Sequence, residues 1–191
     1  VDYLLPETVD DSYVINLIHN LNRDQSVHGI LVQLPLPMNL SKTKIIDSID
    51  PNKDVDGLHT VNMGKLVAGR QVFPPATPYG IQKILMSAGV TITSKHVVVL
   101  GRSEIVGKPI SLLMLGKREG GNATVTVCHS KTKNIESITR QADILIAAMG
   151  KPNFVTGSMV KDGVVVIDVG INRIKDVKNK RGYQLVGDVF F

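Results

Sequence analysis

The feature that most constrains the fold of this chain is a βα unit predicted between residues 97 and 116. Residues 97–100 are apolar and mostly β-branched, which predicts a buried strand, and Gly101 follows where such a strand must turn. A helical pattern then begins at Gly107 and stops at Gly116. The start of a helix carries free backbone N–H groups and the positive end of the helix dipole, so this unit can bind a phosphate.

The glycine spacing of this unit leaves an alternative open. Arg102 and Ser103 stand where the usual G-x-G-x-x-G pattern has its middle glycine. A βα unit that contributes only to the core would show much of the same pattern, because such motifs gain their meaning from their context. The context is therefore needed to decide between the two interpretations.

Strands and helices alternate through the rest of the second half of the chain. Apolar stretches at residues 123–128, 143–148 and 164–169 predict three more strands, and residues 135–142 predict a short helix. This alternation predicts an α/β fold with a parallel, doubly wound sheet of the Rossmann type. Ligands of such sheets bind beyond the carboxyl ends of the strands. That rule selects the short stretches at residues 101–103, 129–132, 149–150 and 170–172.

The end of the second predicted strand indicates which dinucleotide this sheet binds. A site that prefers NAD commonly has Asp or Glu there, which binds the ribose 2′-OH. Here Cys128 is followed by His129, Ser130 and Lys131, and no carboxylate is present. A hydroxyl and a cation, with the Arg102 guanidinium nearby, favour an added 2′-phosphate. The sequence therefore predicts NADP as the cofactor.

The first half of the chain carries two further candidate stretches. An apolar strand predicted over residues 28–34 ends with Gln33 and stops at the prolines that follow. The alternative for Gln33 is an amide that satisfies a neighbouring backbone group. Asp54 and Asp56 would share a face of a strand, or a turn could present Asp56 to a cleft. The alternative for this pair is ordinary turn chemistry, since Asp-Gly is a common turn sequence.

The proline-rich residues 73–78 are the best candidate for a domain boundary, because such backbone forms a stiff connector. We therefore predict one domain over residues 1–77 and a Rossmann-type domain over residues 78–191. The chain starts at Val1 and ends in an apolar segment at Phe191, so we expect both ends to continue in a longer protein.

Composition excludes several classes of function. No apolar run approaches the ~18 residues of a membrane helix, so we predict no membrane contact. The five histidines and one cysteine show no metal-ligand spacing, which predicts no metal site. Basic residues are scattered and aromatic residues make up 4% of the chain, which argues against a nucleic-acid surface. Because Cys128 is the only cysteine, no internal disulfide can form, and a reducing compartment such as the cytoplasm is expected.

Five motifs, taken in order, resemble the methylenetetrahydrofolate dehydrogenase/cyclohydrolase family. They are ILVQLPLP at 30–37, DVDG at 54–57, PATPYG at 75–80, GRSEIVGKP at 101–109 and IDVGIN at 167–172. The resemblance covers essentially the whole chain. Five motifs in the same order are far more specific than any one alone, so they favour a functional interpretation of Gln33 and Asp56.

This resemblance implies an activity. Members of the family oxidise 5,10-methylenetetrahydrofolate to 5,10-methenyltetrahydrofolate with NADP, and then hydrolyse this product to 10-formyltetrahydrofolate. The resemblance also implies a role in one-carbon metabolism and purine biosynthesis, and a homodimer that forms through the cofactor domain. The domain at residues 1–77 would then be part of the folate-binding catalytic domain, which is itself α/β.

The same resemblance assigns roles to individual residues. In the catalytic domain, Gln33 would contact the family's catalytic lysine and the folate, and Asp56 would hold the pterin ring. Val32 and Leu34 would contact the substrate through their backbone. In the cofactor domain, the residues implied are Gly101, Arg102 and Ser103 at the phosphates, Ser130 at the 2′-phosphate and Ile171 near the nicotinamide.

The chain also departs from the family pattern. No lysine follows Tyr3 at the spacing of the family's tyrosine and lysine, and Ala76 stands where many members have cysteine. The family's glycine-rich folate loop does not occur within residues 1–191. We therefore expect these residues alone to bind NADP far better than they turn over folate.

Two alternatives remain open. One is a non-catalytic NADP-binding fragment or remnant of the family, which the family's tyrosine and lysine in the intact protein would exclude. The other is a different Rossmann dehydrogenase that acts on a small hydroxy acid. It would leave Gln33 and Asp56 unexplained, and binding of a folate analogue would exclude it.

Overall fold

The computed structural model describes residues 1–70, 73–177, 179 and 181–191. These residues divide into two units, Val1–Ala76 and Thr77–Phe191. Within the described residues, no helix has the length and apolar character that a membrane span requires.

The first unit is built from helices α1 (Asp11–Arg23), α2 (Lys42–Ile46) and α3 (Thr60–Val67). Helix α1 begins after Asp10, whose side chain accepts a hydrogen bond from the N–H of Tyr13 at 2.8 Å and so satisfies a free helix donor. The apolar face of α1 packs into a core with α2 and the segments on either side of it. The buried members of this core are Val14, Ile18, Ile30, Ile45, Ile46 and Ile49.

The prediction of a strand over residues 28–34 is wrong for the described residues. A single parallel bridge joins Ile30 to Asp54, with the Ile30 N–H donating to the Lys53 carbonyl at 2.7 Å. Only Ile30 is buried, and Leu31 is 56% exposed. A strand needs a partner that repeats this hydrogen bond, and the chain turns away directly after Asp54.

The second unit begins in helix α4 (Ala76–Ser87) and is built on a parallel sheet. Its strands lie in the order β2-β1-β3-β4. Along the chain the elements are β1 (His96–Leu100), α5 (Gly107–Leu115), β2 (Thr124–Cys128), α6 (Ile135–Thr139), β3 (Ile144–Ala147) and β4 (Val165–Asp168). An antiparallel hairpin of β5 (Asn172–Lys175) and β6 (Tyr183–Val186) follows. The predicted α/β fold with a parallel Rossmann-type sheet is confirmed.

The register of the sheet brings the ends of its strands together. Leu100 at the end of β1 pairs with Cys128 at the end of β2 and with Ala147 at the end of β3. Ala147 in turn pairs with Asp168 at the end of β4. The loops that follow all four strands therefore start from one level at one edge, which we call the carboxyl edge.

Candidate functional site

The loop after β1 turns so tightly that it requires glycine at two positions. Gly101 has φ +118° and donates its N–H to the Cys128 carbonyl at 2.8 Å. A Cβ atom on Gly101 would overlap the carbonyl oxygen of Ala148, and one on Gly107 would overlap the carbonyl of Gly101. The backbone thus approaches itself and β3 more closely than any side chain allows.

Two backbone N–H groups at the start of α5 already have an acceptor within the protein. The Ser103 hydroxyl accepts hydrogen bonds from the N–H groups of Val106 at 3.1 Å and Gly107 at 3.2 Å. The prediction that the N–H groups at the start of this helix are free is therefore wrong for these two residues. Because the Ser103 oxygen acts as the acceptor in both bonds, the hydroxyl can still donate its own hydrogen to an anion.

Arg102 and Ser130 occupy equivalent places at the carboxyl edge. Each lies two residues beyond the paired residues Leu100 and Cys128, and each is exposed. Among the described residues, the Arg102 guanidinium has no hydrogen bond or ion pair. The structure therefore brings an uncompensated cation and a hydroxyl to adjacent strand ends, as the sequence analysis required for a phosphate of NADP.

The turn that carries Ser130 is held by its own side chains. The His129 N–H donates to the Thr132 hydroxyl at 2.9 Å, and the Lys131 N–H donates to His129 Nδ1 at 3.2 Å. These bonds leave Ser130 and Lys131 exposed at the tip. The tip therefore offers a hydroxyl and an ammonium group, and it contains no carboxylate.

The loops after β3 and β4 are held by two aspartates that the sequence analysis did not identify, Asp188 after β6 and Asp168 at the end of β4. The N–H groups of Met149 and Gly150, in one of the stretches selected for the ligand site, donate to the Asp188 carboxylate at 2.6 and 3.0 Å. Asp168 at the end of β4 accepts from the Gly170 N–H at 2.9 Å. Ile171 follows and is 81% exposed at the carboxyl edge. An aspartate directly after an apolar run or a glycine was the only available signal.

In the first unit, the two carboxyls of the Asp-Val-Asp-Gly turn have different environments. Asp54 is 1% exposed, and its Oδ2 accepts from the His59 N–H and from Asn62 Nδ2, both at 2.9 Å. Asp56 is half-buried, and no hydrogen bond to its carboxyl is found among the described residues. Burial and the nearby charge of Asp54 raise the pKa of Asp56. Asp54 therefore holds the turn, whereas Asp56 remains available for a ligand.

Gly57 shapes the turn that presents Asp56. It has φ +67°, and a Cβ atom there would lie 2.7 Å from the Phe73 carbonyl oxygen and 2.9 Å from the Pro75 nitrogen. Only glycine fits this combination of backbone conformation and close approach.

The predicted folate-binding residues 32–34 lie beyond the bridge between Ile30 and Asp54. Gln33 is exposed, and its amide donates to the neighbouring Leu34 carbonyl at 3.1 Å, while Val32 and Leu34 are half-buried. Because the bridge is parallel, Gln33 and Asp56 both follow it in the same direction. Their roles toward a substrate stay predictions.

Two family models match the chain. The tetrahydrofolate dehydrogenase/cyclohydrolase NAD(P)-binding domain matches residues 75–191, and the catalytic domain of the same family matches residues 1–56. This chain belongs to the tetrahydrofolate dehydrogenase/cyclohydrolase family. The resemblance drawn from the five motifs is thereby confirmed.

Curated members of the tetrahydrofolate dehydrogenase/cyclohydrolase family match nearly the whole chain. It is 55% identical over 190 residues to the bifunctional protein FolD of Pelodictyon phaeoclathratiforme and 49% identical over 187 residues to that of Cytophaga hutchinsonii. These matches cover 97% and 98% of this chain. The chain spans 64% of the length of each of these relatives.

Solved structures of the tetrahydrofolate dehydrogenase/cyclohydrolase family show the same fold. The bifunctional enzyme FolD from Campylobacter jejuni superposes with a TM-score of 0.89 at 46% identity, covering 98% of this chain and 63% of that one. The Trypanosoma brucei dehydrogenase-cyclohydrolase, solved with NADP cofactor and inhibitor, superposes with a TM-score of 0.88 at 39% identity. That match covers 97% of this chain and 62% of the trypanosome chain.

Proposed function

We propose that the full-length protein oxidises 5,10-methylenetetrahydrofolate to 5,10-methenyltetrahydrofolate with NADP, and hydrolyses this product to 10-formyltetrahydrofolate. The family supports this proposal, because both curated relatives are named bifunctional protein FolD. The trypanosome structure, described as complexed with NADP, supports the choice of cofactor. Residues 1–77 would be part of the folate-binding catalytic domain, and residues 78–191 would be the NADP-binding domain.

The observation that carries the choice of cofactor is the pairing of Leu100 with Cys128. It supports a 2′-phosphate site in which the Arg102 guanidinium donates two parallel hydrogen bonds and the Ser130 hydroxyl donates a third. The tight turn that Gly101 and Gly107 allow brings the Ser103 hydroxyl to the start of α5, where a diphosphate could bind. These residues therefore fit NADP, which supplies the hydride acceptor when bound.

Asp56 is suited to bind the pterin ring of a folate. The amino and ring N–H groups of a pterin are donors, and an ionised carboxylate can accept two of them side by side. Because burial and Asp54 destabilise the charged form of Asp56, that form gains more from new donors than a fully solvated carboxylate would. Gln33, which follows the same bridge, would orient the substrate through its amide.

Ile171 is suited to contact the nicotinamide end of the cofactor. Its exposed side chain at the end of the loop after β4 provides an apolar surface at the carboxyl edge. We further propose, on the family resemblance alone, a homodimer in the cytoplasm whose product enters one-carbon metabolism and purine biosynthesis.

The affinities for NADP and NAD test the role of Arg102. Arg102→Ala should weaken NADP binding by about 2 kcal/mol and NAD binding by less, because only NADP has the 2′-phosphate that the guanidinium would bind. Isothermal titration calorimetry with both nucleotides measures the difference. Arg140→Ala, which removes the same charge just before β3 begins at the opposite edge, should leave both affinities unchanged.

Equal losses for NADP and NAD in Arg102→Ala would contradict the 2′-phosphate site. Folate turnover by the intact protein separates the enzyme from the alternative of a non-catalytic NADP-binding remnant. Turnover that disappears in Asp56→Ala while NADP binding persists would support the folate role of Asp56.

A further inference from the structure

The Asp188 carboxylate is entirely buried and accepts four hydrogen bonds. Its Oδ2 accepts from the N–H groups of Met149 and Gly150 at 2.6 and 3.0 Å, and its Oδ1 accepts from the Lys151 N–H at 2.8 Å. Oδ1 also accepts from Asn172 Nδ2 at 2.9 Å. One side chain thus joins the loop after β3 to the first residue of β5, which follows the loop after β4.

The backbone of Asp188 is itself fixed by a second carboxylate at the end of β4. Asp168 accepts from the N–H groups of Asp188 at 2.9 Å and Val189 at 3.0 Å. Glycine is required on both sides, because a Cβ on Gly170 would overlap Asp188 and a Cβ on Gly187 would overlap Asp168. We call Asp168 and Asp188 the aspartate clamp.

We propose that Asp188 is a positioning residue for the dinucleotide site: it fixes the loops after β3 and β4 relative to each other, and so holds Ile171 and the backbone of residues 149–151 at the carboxyl edge. This inference rests on the proposed function, since it concerns the same site. The side chains of the clamp bond to loop residues and to the first residue of β5, whereas the parallel pairing of β1, β3 and β4 uses backbone hydrogen bonds alone. Its loss should therefore loosen the site before it loosens the sheet.

The chemistry of the four donors makes this proposal specific for a carboxylate. Both oxygens of Asp188 face only N–H donors, and a carboxylate is a pure acceptor. In Asp188→Asn, one orientation of the amide turns its NH₂ group toward the N–H groups of Met149 and Gly150. The other turns it toward the Lys151 N–H, and there only Asn172 could accept, by rotating its own amide. In both orientations at least one backbone N–H loses its acceptor. A buried N–H donor without an acceptor destabilises the folded conformation, so the loop after β3 should move away from residue 188.

The first experiment measures nucleotide affinity and local hydrogen exchange in the full-length protein. Asp188→Asn should raise the Kd for NADP on the order of tenfold, the effect of losing about 1.4 kcal/mol. Amide exchange should accelerate at residues 149–151 and 170–172, while the amides of β1 and β3 stay protected. Asp162→Asn, the same change at an exposed turn, should alter neither quantity.

The second experiment exchanges the side chains of Asp188 and Asn172. In Asp188→Asn combined with Asn172→Asp, the new carboxylate at 172 accepts from the new amide at 188 more strongly than the neutral amide oxygen of Asn172 could, so the double variant should bind NADP more tightly than Asp188→Asn. Asn172→Asp alone places two carboxylates side by side and should weaken binding. If Asp188→Asn does not fold, Asn172→Ala removes one of the four bonds and should give a smaller change in affinity and exchange at the same residues.

Three results would overturn the inference: an unchanged NADP affinity in Asp188→Asn, exchange that accelerates equally across the sheet, or no recovery in the double variant. If the wild-type protein binds no NADP, the proposed function fails instead. The exchange pattern of Asp188→Asn then still decides whether the clamp fixes the two loops.

Discussion

Asp54 and Asp56 are separated by one residue, yet their carboxyls differ in burial and in bonding. Asp54 is buried and accepts from His59 and Asn62, whereas Asp56 is half-buried without such partners among the described residues. The residue types could not distinguish these roles, because both are aspartates in one turn. What distinguishes them is that the Asp54 carboxyl faces the start of the helix that follows and the Asp56 carboxyl does not.

Asp56→Asn should stabilise the protein at neutral pH. Because burial and Asp54 raise the pKa of Asp56, the folded state binds this proton more tightly than the unfolded state does. The stability that Asp56 contributes is therefore present below the unfolded pKa, about 3.9, and is lost as the pH rises through its folded pKa. Urea unfolding at several pH values should show that the free energy of unfolding of the variant rises relative to that of wild type as the pH increases from about 3.9 through the folded pKa of Asp56.

Two further variants control this prediction. Asp2→Asn, a change at an exposed terminal residue, should not show the same pH dependence. Asp54→Asn can keep an oxygen toward its two donors while it removes the charge, so it should lower the pKa of Asp56, as measured by NMR titration. An Asp56 pKa that stays the same in Asp54→Asn would contradict the electrostatic part of the explanation.

Strands β1, β3 and β4 of the second unit were predictable because each contains a continuous apolar run, as buried parallel strands do. Strand β2 lies at the edge of the sheet, and its threonines and valines alternate. The stretches predicted at residues 123–128, 143–148 and 164–169 are close to the observed β2, β3 and β4. The apolar run at residues 28–34 looked similar, but it forms only one bridge and has no neighbouring strand among the described residues. The presence of a neighbouring strand cannot be deduced from the pattern of the run itself. The hairpin β5–β6 was missed because its residues are mostly polar or charged.

The strands of this sheet are also aligned at their starting ends, by Asp143. Its carboxylate accepts from the His96 N–H at 2.9 Å and from Lys161 Nζ at 2.7 Å, which lowers its pKa to about 2. Its backbone carbonyl accepts from the Val165 N–H at 3.0 Å, so one residue contacts the starts of β1 and β4 as it begins β3.

Asp143→Asn should destabilise the protein at neutral pH. A carboxyl with a lowered folded pKa contributes stability above its unfolded pKa and loses it as the pH falls through the folded value. The difference in the free energy of unfolding between wild type and variant should therefore decrease as the pH falls below about 3.9, and it should vanish near pH 2. Denaturant unfolding over this range measures it, with Asp162→Asn as the matched exposed change. A difference that is constant with pH would exclude the ionic explanation.

Gly101→Ala should be much more damaging than alanine at another glycine of positive φ. The left-handed conformation alone costs about 1–2 kcal/mol, and at Gly101 the added Cβ also overlaps the Ala148 carbonyl. We expect a loss of at least about 3 kcal/mol in the free energy of unfolding. Gly163 has φ +77° in open space, so Gly163→Ala should show the conformational cost only. Equal losses in the two variants would contradict the close contact between β1 and β3.

At the scale of the whole molecule, the sequence predicted where a site would form better than how it is held. The carboxyl-edge rule and the family motifs selected Arg102, Ser130 and Ile171 from local patterns. Within the aspartate clamp, Asp188 accepts from the N–H of Met149, which lies 39 positions away. The local signals for its two members were only an apolar run before Asp168 and a glycine before Asp188. Long-range polar contacts of this kind depend on the folded sheet and leave no local periodicity.

NADP should stabilise the full-length protein more than NAD does at equal concentration. A ligand that binds only the folded state adds about 2.7 kcal/mol when it is present at about 100 times its Kd. Hydrogen exchange should show the added protection in residues 77–191, the unit that carries the carboxyl edge. In Arg102→Ala, NADP should add less hydrogen-exchange protection to these residues than it does in wild type. Equal protection by the two nucleotides would contradict the preference for NADP.

Asp188 follows every strand of the parallel sheet along the chain, so it is synthesised after all of them. Residues 96–168 of the sheet leave the ribosome before Gly187 and Asp188 do, so the parallel strands can pair while the loop after β3 still lacks its acceptor. A nascent chain arrested before residue 188 would hold an assembled sheet with an unfinished nucleotide pocket. The ability to bind a nucleotide would thus arise late in translation, once Asp188 can accept from the loop after β3.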